Sequence, residues 1–295
     1  MPAAGIPQFH LGTSSFSNKD WVGPFYPSGT APADFLEFYA TRFGTVEIDS
    51  SYYGVPRVST VNAWRERTPE GFLLAAKFPR EVVHGGAKAR PDPRVVLDPD
   101  RTYGIRDKFL ETMGRLGDRL GPLLLQFPYF SRGAFPDPAV FRERLERFLA
   151  DLPPAFRYAV EVRNRAWVTP ALADLCRSHG AALTLVDQAW MPHGDEVERR
   201  MDPVTAPFAY IRLLGDRREI EALTTRWDRE VLDRSPRLER WAALIGRLLA
   251  REIPTFVYVN NHYAGHAPAT LARLRTMLDR VLGEAKPGQP PPPAS

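Results

Sequence analysis

The sequence contains very little cysteine. Cys176 is the single cysteine among 295 residues, which excludes an intramolecular disulfide and any metal site built from several cysteines. It falls in the largely apolar segment 171–176, and a free cysteine on the apolar face of a helix behaves as a small hydrophobe. We therefore expect a buried, unreactive thiol.

Long apolar runs are also missing. No uninterrupted apolar stretch reaches roughly 18 residues, the length at which a membrane-spanning helix is considered. Residues 1–8 lack the basic and apolar regions of a secretory signal. We therefore expect a cytoplasmic protein without a membrane partner, in which residues 1–8 form a short N-terminal extension.

Several common functional motifs are absent. The chain has no phosphate-binding P-loop, no Gly-x-Gly-x-x-Gly fingerprint and no His-Glu-x-x-His pair, so nothing in it supports a nucleotide-binding fold or a zinc protease. Charge of one sign is not concentrated either, because 39 basic and 35 acidic residues leave a net charge of +4. Such a small excess gives only weak support for a nucleic-acid partner.

Short apolar strands alternate with amphipathic segments along most of the chain. This order predicts an α/β fold, specifically a single-domain (β/α)8 TIM barrel over residues 9–284, with the sixth helix shortened or irregular. The Pro-rich residues 285–295 predict a disordered tail. The predicted strands are 9–15, 45–53, 72–78, 121–127, 158–163, 182–187, 208–214 and 255–261. The predicted helices are 32–42, 58–67, 107–119, 138–150, 169–179, 238–250 and 268–282, with a broken segment at 188–207.

Polar side chains stand at the end of every predicted strand. In the second strand Val46 and Ile48 share one face while Glu47 and Asp49 share the other, because side chains alternate along a strand. In TIM barrels the reacting groups project from the C-terminal ends of the strands, so we expect a site there. We assign Glu47, Glu161 and Lys77 as catalytic residues. The predicted substrate-binding residues are Thr13, Asp49, Tyr53, Gln126, Arg163, Asp187, Tyr210, Arg212, Asn260 and Asn261.

Lys77 is unusual because it is the only lysine on a predicted strand in a chain with five lysines. A lysine in a barrel mouth could bind an anion, form a Schiff base or act as a base. A structural alternative is equally open, since Glu47 with Lys77 and Glu161 with Arg212 could simply be buried ion pairs. A third reading makes Glu47 and Glu161 the acid and base of glycoside cleavage.

Metal ligands are scarce at the predicted site. His84, His262 and His266 are the histidines near the mouth, and none occupies an inward position on strands two to seven, whereas zinc sites need three or four placed ligands. We predict no metal site and no cofactor, with a divalent metal as an alternative. That alternative corresponds to a metal-dependent phosphodiesterase or a DNA-repair nuclease.

A set of ordered motifs between residues 12 and 282 resembles the YecE-like family, known as domain of unknown function 72. The resemblance implies a TIM-barrel fold and brings no established reaction. Asp49 and Ser51 stand where the family usually has Asn and Thr, which adds a charge to the pocket. The motifs lie at 12–16, 21–27, 46–53, 64–72, 77, 126–128, 161–167, 210–212 and 260–261.

Taken together, the sequence predicts an enzyme that acts by acid/base chemistry on a small polar, anionic molecule. Arg163, Arg212 and Lys77 would hold the anion, because guanidinium groups bind carboxylate or phosphate in a bidentate manner. Glu47 and Glu161 would exchange protons. A noncatalytic ligand-binding or interaction protein is the remaining alternative, and the oligomeric state is left open.

Overall fold

Nine parallel strands form the centre of the protein in a computed structural model that describes residues 9–85 and 90–284. Their positions confirm the predicted strands, with two main differences: the sixth predicted strand is divided at Thr184, and the second ends at Ile48, because Ser50–Tyr53 forms a 3-10 helix. The predicted extension 1–8 and tail 285–295 lie outside the described residues. The strands are β1 (Phe9–Thr13), β2 (Thr45–Ile48), β3 (Leu73–Lys77), β4 (Leu120–Gln126), β5 (Tyr158–Glu161), β6 (Ala182–Leu183), β7 (Leu185–Asp187), β8 (Ala209–Leu213) and β9 (Thr255–Val259).

Helices connect these strands. The sixth, α6, has only five residues, as predicted, and none of the helices in the described part of the chain is long and apolar enough to cross a membrane. The helices are α1 (Phe35–Ala40), α2 (Val58–Glu66), α3 (Pro99–Gly114), α4 (Pro138–Ala150), α5 (Pro170–Ser178), α6 (Gly194–Glu198), α7 (Arg217–Glu221), α8 (Ser235–Ala250) and α9 (Ala267–Glu284).

The predicted start of the third helix was wrong. That helix begins at Pro99 rather than at residue 107, because Asp98 caps it by accepting a hydrogen bond from the Arg101 backbone N–H at 3.1 Å. Proline is compatible with the first turn of a helix, where its missing N–H has no partner to lose. The short helix α7 was not predicted either, and its N-cap is Asp216.

The strands form two parallel sheets. One has the order β1-β9-β8-β7 and the other the order β2-β3-β4-β5-β6. Only Thr184 separates β6 from β7 along the chain, so one continuous segment contributes to both sheets. Parallel strands covered by helices on their outer side explain why the strands are almost continuously apolar in sequence.

At the other junction, between β1 and β2, one phenol links the two strands. The Tyr39 hydroxyl accepts a hydrogen bond from the Thr13 backbone N–H at 2.8 Å and donates one to the Thr45 carbonyl at 3.2 Å. The approach of the two strands is close, since a Cβ on Gly12 would lie 2.2 Å from the Thr45 carbonyl oxygen. Glycine at this position therefore lets β1 and β2 lie side by side.

The two faces of the strands carry different side chains. One face packs against the helices in a large apolar cluster that contains Val46, Ile48 and Val160. The opposite face forms a smaller cluster, in which Ala75, Leu124, Ala159, Ala182, Tyr210, Phe256 and Tyr258 meet. Because side chains alternate, the residues that follow this smaller cluster towards the C-terminal ends, such as Glu47 and Lys77, lie on the same inner face.

Candidate functional site

A buried arginine stands at the centre of the inner polar residues. Arg212 on β8 donates from one terminal nitrogen to Glu47 Oε1 at 2.8 Å, and from the other to Glu161 Oε2 at 2.5 Å and to Gln126 Oε1 at 2.9 Å. Strands β2, β4, β5 and β8 are thereby tied together by one side chain. Arg212 is 1% exposed, so the guanidinium predicted to hold the substrate anion is already occupied by protein groups.

Two further cations flank the same carboxylates. The Lys77 ammonium lies 3.5 Å from Glu47 Oε1, and Arg163 Nε donates to Glu161 Oε1 at 3.0 Å. Tyr210 completes the arrangement by donating from its hydroxyl to Glu47 Oε2 at 2.8 Å. Each buried carboxylate therefore has two cationic partners, which is the condition under which burial of such charges is tolerated.

Both glutamates are closed to solvent and held in their ionised form. Glu47 and Glu161 each have no exposed surface. Burial by itself would raise the pKa of Glu47, but Arg212 and Lys77 lower it below its usual value. For Glu161 burial likewise acts to raise the pKa, and Arg212 and Arg163 outweigh it. A carboxylate in this condition is a poor proton donor near neutral pH.

Lys77 and Asp49 have the opposite character. Burial lowers the pKa of Lys77, and the neighbouring Arg212 lowers it further, while Glu47 only partly compensates. Burial raises the pKa of Asp49, against the attraction of Lys77, and Glu47 adds to the rise. The Lys77 side chain is 11% exposed and Asp49 is half-buried. The Asp49 carboxyl can therefore meet a ligand, and Lys77, although mostly enclosed, keeps more exposed surface than Glu47 or Glu161.

Two predicted site residues lie on the outer face of their strands. Asp187 shares its face with Leu185 and accepts hydrogen bonds from Arg237, from Trp241 Nε1 at 2.6 Å and from the Tyr263 hydroxyl at 2.9 Å. It therefore fastens helix α8 to the sheet. Thr13 also faces outward, where its hydroxyl hydrogen-bonds to the Tyr39 phenol at 2.8 Å.

Tyr53 lies at the rim. Its side chain is 69% exposed, and the Arg80 guanidinium is 6.0 Å from the ring centroid. Tyr52, which was not predicted, is half-buried beside it, with the two ring centroids 5.7 Å apart. Burial raises the pKa of Tyr52, against the attraction of Arg163 and Arg80, so this tyrosine is near the cations of the polar network.

Asn260 and Asn261 line a separate cleft of about 200 Å³. We call it the serine–asparagine cleft and define it by Ser14, Asn18, Asn260 and Asn261. Asp49 also lines it, so the cleft adjoins the pair formed by Lys77 and Asp49. Its other lining residues are Thr13, Ser15, Ser17, Trp21, Trp227, Val259, His262 and Ala267.

The sequence interpretation overlooked several of these residues. Ser14 directly follows β1, so its place at the end of a strand could have identified it. Asn18 and Trp227 gave no such signal, because both lie in irregular loops that only the tertiary structure brings to β9. Trp227 reaches the cleft through a backbone hydrogen bond to Asp20 Oδ2 at 3.0 Å.

The histidines considered as metal ligands are dispersed. His262 hydrogen-bonds to Asn260 Oδ1 at 2.7 Å and to Glu221 Oε1 at 3.2 Å. Nδ1 of His266 accepts a hydrogen bond from the Ala269 backbone N–H at 3.2 Å. Within residues 9–85 and 90–284, no three His, Cys, Asp or Glu side chains are grouped as they would be around a metal ion.

Two curated bacterial proteins are similar in sequence to this chain. The YecE protein of Escherichia coli strain K12 is 32% identical over 155 residues, covering 52% of this chain and 48% of that protein. The YunF protein of Bacillus subtilis strain 168 is 25% identical over 161 residues, covering 55% and 52% respectively. This chain thus spans about half the length of the curated relatives it matches.

Solved structures show the same fold. A DUF72 family protein from Thermotoga maritima is 25% identical with a TM-score of 0.69, covering 92% of this chain and 99% of that one. A D-psicose 3-epimerase crystallised with D-fructose is 14% identical with a TM-score of 0.51, covering 93% and 99%, and supports only a TIM-barrel-like fold. The family model described as "Protein of unknown function DUF72" matches residues 10–294. The chain therefore belongs to the DUF72 family.

Proposed function

We propose that this protein is an enzyme that acts by acid/base chemistry on a small polar, anionic molecule at the C-terminal ends of the strands. The observation that supports the proposal is the proximity of Lys77 and Asp49, which act on each other's pKa: burial lowers the pKa of the amine and raises that of the carboxyl, and both side chains keep some exposed surface. Groups with pKa values near the working pH are the efficient proton donors and acceptors.

The roles follow from which groups are open. Lys77 in its neutral form accepts a proton, and Asp49 in its protonated form donates one. Arg163, whose side chain is 24% exposed, contacts the anionic group of the substrate. Glu47 and Glu161, expected from sequence to exchange protons, are closed to solvent and ionised, so we assign them to hold Arg212 and to set the charge around Lys77.

The network also determines the electrostatic state of the mouth. Three carboxylates and three cations would balance if all were ionised, namely Glu47, Asp49, Glu161, Lys77, Arg163 and Arg212. In the proposed reactive state, with Lys77 and Asp49 both neutral, the two carboxylates of Glu47 and Glu161 are balanced by Arg163 and Arg212. Arg163 is then the partly exposed cation that can bind the anionic group of the substrate.

The proposal is tested by screening anionic metabolites for turnover and comparing Lys77→Met with Lys108→Met, a change at an exposed lysine of α3. We expect Lys77→Met to reduce kcat/KM by about 10²-fold to 10⁴-fold, and Lys108→Met to leave it unchanged. In the wild type kcat/KM should rise as pH increases through the lowered pKa of Lys77, because only the neutral amine accepts a proton. Retention of wild-type activity by Lys77→Met would overturn the assignment.

A noncatalytic ligand-binding protein is the second candidate. It is favoured by the engagement of both terminal nitrogens of Arg212 with Glu47, Glu161 and Gln126, which leaves few charged groups for chemistry. Calorimetric binding of an anion by the wild type, combined with no chemical change in that anion over hours at any pH from 5 to 9, would favour this candidate over the enzyme.

We further propose that the two sheets close into one (β/α)8 barrel. Two observations support closure: only Thr184 separates β6 from β7, and the Tyr39 hydroxyl bonds to both β1 and β2.

The metal-dependent phosphodiesterase or nuclease alternative is tested by metal analysis of protein purified without tag or chelator. Stoichiometric zinc, manganese or iron would overturn the metal-free mechanism.

A further inference from the structure

The serine–asparagine cleft presents hydrogen-bond donors to a ligand. The Oδ1 atoms of its three asparagines are all engaged within the protein. Asn18 Oδ1 accepts from the Asp20 N–H at 2.9 Å, and Asn260 Oδ1 accepts from the His262 N–H at 3.0 Å. Asn261 Oδ1 accepts from the Ala267 N–H at 3.0 Å. These bonds fix the orientation of each amide, because its oxygen must meet an N–H group.

The amide nitrogens of these asparagines are consequently available to donate hydrogen bonds to a ligand. None of the three Nδ2 groups donates a hydrogen bond to another group among the described residues, although all three side chains are only partly exposed. The Ser14 hydroxyl is a fourth available group: Ser14 is 5% exposed, and no hydrogen-bond partner for its Oγ lies within the described part of the chain. An unpaired polar group at this depth is costly unless a ligand or water satisfies it.

The cleft also contains hydrogen-bond acceptors, and no lysine or arginine is among its lining residues. Asp49 supplies carboxyl oxygens on the side towards Lys77. His262 is the one histidine that lines the cleft, and burial lowers its pKa, so it is neutral at pH 7. Trp21 and Trp227 form apolar walls, with Trp21 fixed by a hydrogen bond from its Nε1 to Asn261 Oδ1 at 3.2 Å.

Hydroxyl groups match this combination better than other common ligand groups do. A hydroxyl accepts from an amide NH₂ and donates to a carboxyl oxygen at the same time. A second anionic group beside Asp49 would find no cation in the cleft, and a purely apolar chain would leave the amide donors unpaired. Flat aromatic side chains beside a few placed polar groups are also typical of small-molecule sites.

We infer that the serine–asparagine cleft binds the hydroxyl-bearing part of the substrate, so that the substrate is a polyhydroxylated chain or ring with an anionic group at its other end. This inference rests on the proposed function, because the anionic end is assigned to Lys77 and Arg163. Asp49 belongs to both regions and lies where the hydroxylated part meets the reacting atoms. A sugar carboxylate and a sugar phosphate share this chemistry.

Calorimetric titration with matched probes tests the inference. The carboxylate series is gluconate, galactonate and glucuronate against hexanoate, and the phosphate series is ribose 5-phosphate and glucose 6-phosphate against inorganic phosphate. We expect at least one hydroxylated probe to bind about tenfold or more tightly than the hydroxyl-free probe of its series, since several hydrogen bonds are gained. The series that shows this preference identifies the anionic group.

Three variants locate the binding. Asn260→Asp keeps the Oδ1 acceptor and removes the NH₂ donor, Ser14→Ala removes the unpaired hydroxyl without a change in charge, and Asn62→Asp makes the control change at an exposed position on α2. We expect the first two to reduce the preference for the hydroxylated probe about fivefold or more. The ratio to the hydroxyl-free probe cancels the effect of the added charge. Asn62→Asp should leave the preference unchanged.

The outcomes separate this inference from the proposed function. If hydroxyl-free anions bind as tightly as hydroxylated ones, the inference is overturned while the anion site stands. An unchanged preference in both Ser14→Ala and Asn260→Asp, with unfolding midpoints like the wild type, would remove the assignment to the cleft. Absence of binding by every probe in both series would overturn the inference and the anionic substrate together.

Discussion

Replacement of Arg212 by methionine removes the cation that two fully buried carboxylates share. Methionine replaces the aliphatic part of the arginine side chain, and the variant loses the hydrogen bonds to Glu47, Glu161 and Gln126. We expect a folded but strongly destabilised protein, because removal of one partner of a buried ion pair leaves an uncompensated charge in a medium of low polarity.

The expected loss of unfolding free energy depends on the partners that Glu47 and Glu161 keep in the variant. Loss of one member of a buried ion pair costs about 3–5 kcal/mol. Glu47 would keep Lys77 at 3.5 Å and the Tyr210 hydroxyl at 2.8 Å, while Glu161 would keep Arg163 at 3.0 Å. Each carboxylate thus retains one cation, which places the expected loss near the lower end, at about 3 kcal/mol. That is a large part of a typical unfolding free energy of about 5–15 kcal/mol.

The loss should depend on pH. In the wild type the lowered pKa values of Glu47 and Glu161 contribute stability above their unfolded pKa, about 4.3, and this contribution is lost as pH falls through the folded values. In the variant burial remains while the main cation is gone, so the folded pKa values rise and the destabilisation increases as pH rises through them. The difference in unfolding free energy between wild type and variant should therefore be larger at pH 8 than at pH 5.5.

Urea unfolding followed by circular dichroism and by tryptophan fluorescence measures both effects. Glu47→Gln and Glu161→Gln added to Arg212→Met should restore much of the lost stability, because neutral amides replace the unpaired carboxylates. A loss below about 1 kcal/mol, compared with the 3–5 kcal/mol typical of a broken buried pair, would refute the central role of Arg212. An equal loss at both pH values would refute the electrostatic explanation.

Three further predictions concern parts of the fold outside the network. Tyr39→Phe should cost about 1–3 kcal/mol in urea unfolding, because it leaves a buried backbone N–H of β1 unpaired. Tyr103→Phe, at an exposed hydrogen bond, should cost less than Tyr39→Phe, and equal costs would contradict the bridging role. Gly12→Ala should prevent stable folding, since its Cβ would lie 2.2 Å from a backbone oxygen, whereas Gly104→Ala in open space on α3 should stabilise by about 0.5–1 kcal/mol. Cys176 is fully buried and burial raises its thiol pKa to about 12, so a thiol reagent should label it only at the rate of unfolding, and rapid labelling of the native protein would contradict that burial.

The clustering of polar side chains on the inner face could be predicted from strand periodicity. Residues two apart share a face of a strand, so the placement of Glu47 against Val46, and of Arg212 against Ile211, was already visible in the sequence. The prediction that the polar residue at a strand end faces inward failed at Thr13 and Asp187, the last residues of β1 and β7. Both lie on the outer face of their strands, Asp187 against Trp241 of α8 and Thr13 against Tyr39, although Thr13 also lines the serine–asparagine cleft.

Roles within the site could not be predicted from sequence. Glu47 on β2 and Asp49, directly after β2, are only two residues apart, yet Glu47 is ionised and closed to solvent while Asp49 is half-buried with a raised pKa. The difference arises from distance to Arg212, which lies 165 positions from Glu47 in the chain and 2.8 Å from it in space. Short-range pattern carries no information about such a contact.

The sequence by itself determined the α/β class, the strands, the shortened sixth helix and the family, because each is written in local periodicity or in ordered motifs. Tertiary structure alone decided that Arg212 neutralises two glutamates, that Lys77 and Asp49 stay open, and that Asn18 meets Asn260 in one cleft. The physical reason is that electrostatic and hydrogen-bonding character depends on neighbours in space. Those neighbours come from separate strands and loops that only folding brings together.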